Sequence, residues 1–171
     1  MEPEVGRKVL ICAENTDAAS NACRWFVDEM YREGDVVHLV YVARALKPPI
    51  EVFHGMPGTA YTFSQPGQHH EVVDIETARR TILHRFLPIL QKKNIKYELH
   101  LYAENAEASS SKVAEAIIRA GAEDVQPDLV VLAAHNKPAT DKYMGALGGV
   151  TRQLISSCTL PLVIIHPEVT A

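Results

Sequence analysis

Two successive glycines, Gly148 and Gly149, stand directly ahead of the helix-like run VTRQL, with Thr151 in what would be its first turn. That grouping can hold an anion. Glycines leave backbone N–H groups bare, a helix start offers donors without intrahelical partners, and a hydroxyl adds another. The stretch that contains them, AAHNKPATDKYMGALGGVTRQL (133–154), leaves an apolar run and so begins at a strand end. His135 and Lys137 could bring positive charge to a phosphate there. At the end of the first apolar run, Cys12 and Ala13 are followed by a carboxylate, Glu14.

Other chemistries leave no signature. The chain has no GxxxxGK[ST] phosphate loop and no GxSxG elbow, and AENTDA after the first strand lacks the GxGxxG glycines. Of eight histidines, His54, His69 and His70 fall in one Pro- and Gly-rich segment with no Cys or carboxylate spacing beside them, so solvated loop residues are expected there rather than a metal site. Cys12, Cys23 and Cys158 are odd in number and sit in apolar or helical patterns, which reads as free thiols in a reducing compartment, the cytoplasm by default. A net charge of −4 without a basic cluster argues against a nucleic-acid partner. No apolar segment approaches the roughly 20 residues of a membrane span, and the apolar run after MEPEVGR is too short for a signal peptide.

The elements that must position these residues follow from periodicity. KVLICA (8–13), DVVHLVYVA (35–43) and PDLVVLAA (127–134) are continuous apolar runs, as in strands buried on both faces. IKYELHLY (95–102) alternates like a half-buried edge strand, and LPLVIIHP closes the chain as a fifth. Between them lie four helices. The first is capped by Thr16 or Asp17, carries Ala19, Ala22, Cys23, Phe26 and Met30 inward, and stops at Gly34. The second starts near Glu71 with Ile75, Ala78, Ile82, Phe86 and Ile89 inward and is kinked or restarted at Pro88. The third turns Val113, Ala114, Ile117 and Ile118 inward, and the fourth Val150, Leu154 and Ile155. Residues 46–70 form one long loop. The chain thus reads as a single α/β domain, 1–171: a doubly wound five-stranded parallel sheet of order 3-2-1-4-5 with helices on both faces. In such a sheet a ligand crevice opens between the carboxyl ends of strands one and four, at AENT (13–16) and AAHN (133–136). Glu14 and His135 would both border it, but no nucleophile accompanies them, so binding rather than turnover is expected.

KVLICAENTDAASNA, VVHLVYV, DLVVLAAHN and LGGVTRQLISSCTLPLVIIHP together resemble the universal stress protein family, the UspA-like branch of the adenine-nucleotide alpha-hydrolase-like folds. The resemblance covers nearly the whole chain apart from the loop. It implies a stress-response module that binds ATP or AMP, with Mg as accompanying ion, and that dimerises through the last strand (161–166). By resemblance, Glu14 meets the adenine or ribose, flanked by Cys12 and Ala13. Leu39 walls the base, Leu132 and Ala133 line the opposite side, and His135, Asn136, Gly148, Gly149, Val150 and Thr151 make the phosphate loop. That loop departs from the family pattern of Gly, two residues, Gly, nine residues, Gly and Ser or Thr. Ala133 and Asn136 occupy the first two glycine positions, eleven residues separate Asn136 from Gly148, and Gly149 replaces the hydroxyl residue. Asn tolerates a left-handed backbone, and losing one neutral hydrogen bond costs about 1 kcal/mol. The alternative is a nucleotide-free homodimer acting through partner contacts.

Overall fold

The computed structural model describes residues 6–44, 75–104, 108–134 and 147–166. The expectations for the 46–70 loop and its histidines, for the start of the second helix near Glu71, and for His135, Asn136 and Lys137 lie outside those residues. The strands are β1 (Lys8–Cys12), β2 (Val36–Arg44), β3 (Lys96–Glu104), β4 (Leu129–Ala133) and β5 (Leu162–Ile165). The helices between them are α1 (Asp17–Trp25), α2 (Ile75–Gln91), α3 (Ser110–Arg119) and α4 (Gly149–Ser157).

All pairings are parallel and the order is β3-β2-β1-β4-β5, as the apolar runs predict. Because side chains alternate across a strand, β1 feeds two cores. Val9 and Ile11 pack toward α1 and α2 with Ala19, Cys23, Phe26, Ile82 and Phe86. Leu10 and Cys12 face α3 and α4 with Ala114, Ile117, Val130 and Leu154. The three continuous apolar strands occupy the centre. β3, largely exposed along its first half, is one edge.

α1 begins at Thr16, whose hydroxyl accepts from the amide of Ala19 at 3.2 Å. It ends sooner than Gly34 suggests. A widened π turn (Phe26–Met30) closes with Tyr31 N donating to Phe26 O at 2.9 Å, and Gly34 lies in the following turn at φ 95°. α3 ends the same way, through Ala120–Val125. α2 runs unbroken through Pro88 to Gln91 rather than restarting there. Two apolar residues expected inside lie outside: Ile75 at the first turn of α2 and Ile155 on α4 are exposed, and Thr151 takes the inward place on α4. In a helix as short as α4 the buried arc is narrow, so one position of rotation decides which residue faces the sheet.

An ion pair joins the starts of β1 and β2. Arg7 grips Asp35 with two donors, Nε to Oδ1 at 3.0 Å and Nη2 to Oδ2 at 2.6 Å, and Nη2 also reaches the carbonyl of Met30 at 2.9 Å. The amide of Arg32 donates to the same carboxylate at 2.9 Å. Gly6 is required beside it, since a Cβ there would overlap the Gly34 carbonyl oxygen at 1.7 Å. Burial would raise the pKa of Asp35. The Arg7 guanidinium and the backbone amides outweigh it and hold the carboxyl below its ordinary value. A depressed folded pKa gives stability that is complete above the unfolded value, near 4, and is lost as the pH falls through the folded one. Asp35→Asn should therefore cost about 2–4 kcal/mol at neutral pH, with the difference from wild type shrinking below about pH 4. Urea melts at pH 7 and pH 3 measure both.

Candidate functional site

β1 pairs with β2 on one side and β4 on the other, so the chain reverses winding direction at β1 and a cleft opens over its carboxyl end. The cleft holds about 530 Å³. Its floor is Cys12 to Thr16, its apolar wall includes Val40, Val42, Val113 and Ile117, and its far side is Gly148, Gly149 and Val150, with Ser110 at the rim. Glu14 is half-buried and faces the same space. Arg85 of α2 steadies the turn next to it, donating from Nε to Asn15 Oδ1 at 3.0 Å and from Nη1 to Asp17 Oδ1 at 2.7 Å.

Two helix N-termini converge here. α4 opens at Gly148, whose extended backbone (φ −65°, ψ 163°) needs no glycine but brings no capping side chain. Neither α4 nor α3 carries an acidic residue in its first turn. The uncapped first-turn amides of α4 and the positive ends of two helix dipoles therefore border the cleft, with no acidic residue in either first turn. Ser109 Oγ accepts from the Lys112 amide of α3, and Glu14 is the carboxylate of the cleft floor. Gly149 has a different task from the one its position suggests. A Cβ at residue 149 would lie 2.5 Å from Ser110 Oγ and 2.8 Å from Ser110 Cβ, so the absent side chain lets the two helix starts approach. The residue is a packing necessity rather than a lost hydroxyl.

Of the residues singled out from the sequence, Cys12, Ala13, Glu14, Gly148, Gly149 and Val150 meet at the cleft. Leu39 does not. It is fully buried on the α1–α2 face, and Val40, the register partner of Cys12, takes the wall in its place. The cause is parity: one step along a strand reverses the face. Leu132 and Ala133 line a void of about 10 Å³ together with Cys12 and Thr151, and among the described residues they do not line the cleft itself. Thr151 is buried, and its hydroxyl donates to the Ala133 carbonyl at 3.4 Å, tying α4 to the end of β4 instead of facing a ligand. Asn15 and Thr16 lie in the AENT turn expected to border the crevice, whereas Val40, Val42, Ser110, Val113 and Ile117 escaped the sequence reading. The β2 contributors become legible only once Cys12 is known to pair with Val40.

The thiols are walls and packing. Burial pushes the Cys12 thiol far above its ordinary range, with Glu14 nearby adding to it, and burial pushes Cys23 up to about 12. Neither supplies a thiolate nucleophile near neutral pH.

A doubly wound sheet with a cleft at its switch point defines a class of mononucleotide-type α/β folds. Within it, the family model of the universal stress protein family matches residues 6–166, and the chain belongs to that family. The chain is similar in structure to the universal stress protein UspA from Lactobacillus plantarum, with TM-score 0.62, 15% identity, and 95% of this chain and 99% of that one covered. It is similar to an Arabidopsis thaliana family member with AMP bound, with TM-score 0.54, 12% identity, and 94% and 91% covered. It also resembles the Archaeoglobus fulgidus universal stress protein in complex with dAMP, with TM-score 0.52, 16% identity, and 94% and 97% covered. No curated protein sequence matches.

Gly149→Ala should destabilise the fold by about 1–3 kcal/mol through overpacking. In a Ser110→Gly background, where the opposing atoms are gone, the same change should cost less than half as much, measured as a double-mutant cycle of urea melts.

Proposed function

We propose that the chain binds an adenine nucleotide across the cleft, with the base or ribose near Glu14 and the phosphates at the start of α4. One observation carries this reading: Glu14 and the uncapped turn at Gly148–Val150 face each other over a cleft with an apolar wall. Each part suits a different portion of the ligand. Val40, Val42 and Val113 offer a surface for a flat base, and a helix start free of acidic residues suits phosphate oxygens. A volume of about 530 Å³ lies within the common range of small-ligand sites. AMP and dAMP complexes of two structurally similar family members agree in ligand class. Mg would accompany a triphosphate as its counter-ion. No residue is assigned a catalytic role; the protein acts as a binding module rather than an enzyme, and its compartment is the cytoplasm.

A second, compatible reading is homodimerisation along β5. This apolar edge strand has Leu162, Val163 and Ile164 only half-buried. Backbone groups left open along such an edge are a template for a second strand.

Mass spectrometry of the purified, denatured protein should release AMP or ATP. Where the nucleotide has been lost in purification, a hundredfold excess over Kd should add about 2.7 kcal/mol of stability, a melting rise of ~5–10 °C. Gly148→Val, which sets a branched side chain over the phosphate position, should weaken nucleotide affinity at least ~10-fold with an unchanged circular dichroism spectrum. Unaltered affinity would discard the phosphate assignment.

The dimer is checked separately. Pro161 O accepts from Val130 N of β4, and Ile165 O from Ala134 N just beyond it. By alternation, the backbone groups of Leu162 and Ile164 point away from the sheet. Ile164→Pro should therefore leave the monomer folded and shift sedimentation from dimer to monomer.

A further inference from the structure

We propose that His38, Glu98 and His100 form a binding site for a divalent transition cation of the zinc class, separate from the cleft. The parallel register of β2 and β3 sets His38 opposite Glu98 and Val40 opposite His100. All three side chains thus emerge on the α3–α4 face, two from consecutive same-face positions of β3 and one from its neighbour. Each turns one donor atom to a common point. His38 Nδ1 lies 3.0 Å from His100 Nε2 and 3.4 Å from Glu98 Oε2, and His100 Nε2 lies 3.7 Å from Glu98 Oε2. The two imidazole rings are tilted by 34° with centroids 5.3 Å apart, so they converge at their edges rather than stack.

These separations are those of a metal's ligands. Tetrahedral coordination at about 2.0–2.1 Å places ligand atoms about 3.3–3.4 Å apart, and the three observed edges bracket that value. Movements of a few tenths of an ångström would seat an ion. A hydrogen bond between two neutral imidazoles is the competing arrangement. It uses a single proton between His38 and His100 and leaves the Glu98 carboxylate oxygen facing both nitrogens at distances too long for good hydrogen bonds. One cation satisfies all three donors together.

The donor set selects the ion. Two imidazoles and one carboxylate suit zinc and its neighbours, whereas magnesium and calcium take all-oxygen shells. Three protein ligands leave a fourth position for water or an incoming ligand, the pattern of open rather than closed zinc sites. Exposure follows the same order: the His38 side chain is 7% exposed and anchors the group, His100 is 21% exposed, and Glu98, at 62%, faces solvent. The other nitrogen of His38, Nε2, is buried without a hydrogen-bond partner among the described residues, so Nδ1 is the ring's one serviceable donor atom. Lys8, whose charge bears on the same ring, turns its ammonium to the Val125 carbonyl at 3.2 Å. Bound metal would clamp the exposed edge strand β3 to β2, one same-face position below Val40 of the cleft wall.

Calorimetric titration of the full-length, metal-stripped protein with zinc chloride alone tests the site. Wild type should bind one ion at this site. Outer-sphere partners of metal ligands typically contribute 10–100-fold to affinity, so removing a ligand in His100→Ala or Glu98→Gln should weaken binding ~100-fold or more. Both positions are solvent-accessible, so these variants should keep their folds, which is checked by circular dichroism. A His69→Ala/His70→Ala variant should bind as wild type does. Independently of the variants, zinc should shift the imidazole nitrogen resonances of His38 and His100 in the intact protein, and cobalt should give the intense visible bands of a tetrahedral site. Absence of binding, undiminished affinity in both ligand variants, or loss only in the His69/His70 variant would each overturn the assignment.

Discussion

β1 makes ladder hydrogen bonds on both sides, to β2 and to β4, and its side chains are buried on both faces. A strand so placed has no polar group to spare for solvent, and only an unbroken apolar sequence can occupy it. Everything at the carboxyl end follows from that position. The chain must leave β1 by a turn that rises out of the core, and Glu14 is the first residue released from it. Neighbouring β4 must likewise deliver its chain to the same rim, and α4 starts there. The cleft is the space that remains when two adjacent parallel strands send their connections to opposite faces.

What shapes that space is the closeness of α3 and α4. Gly149 admits Ser110 where any side chain would collide, so two helix starts stand side by side at the cleft. Two partial positive charges together make a better anion seat than either alone. A sequence position that differs from the family's pattern is thereby accounted for within this chain: the missing hydroxyl at residue 149 is the condition for the contact. Thr151, one turn into α4, secures the same helix from beneath through the Ala133 carbonyl.

The other end of the same sheet face has a different character. There the strand edge is exposed, and the side chains that cross from β2 to β3 are polar. His38 is buried beside Glu98 and His100, and its Nε2 has no hydrogen-bond partner among the described residues, which costs free energy. The Arg7–Asp35 pair, also at the amino ends of the strands, shows the ordinary solution to such burial, with the carboxylate reached by guanidinium and backbone donors alike. Among the described residues, no such donor or acceptor reaches the buried side of His38.

The amino-acid sequence by itself determined the architecture. Continuous apolar runs marked β1, β2 and β4 as central, alternation marked β3 as an edge, and the helical stripes closed the order, because burial on both faces and burial on one leave different periodicities. It also showed that Glu14 and Gly148 belong to one rim, since that follows from strand order alone. It could not say which of Leu39 and Val40 walls the cleft, because a continuous apolar strand carries no mark of its two faces. Parity is decided by the partner's register, which put Val40 beside Cys12. The inward rotation of Thr151 rather than Ile155, the approach that Gly149 permits, and the meeting of His38 with Glu98 and His100 across about 60 residues of sequence were likewise settled only in three dimensions. Each depends on how two elements lie against each other, and no pattern within either element contains that information.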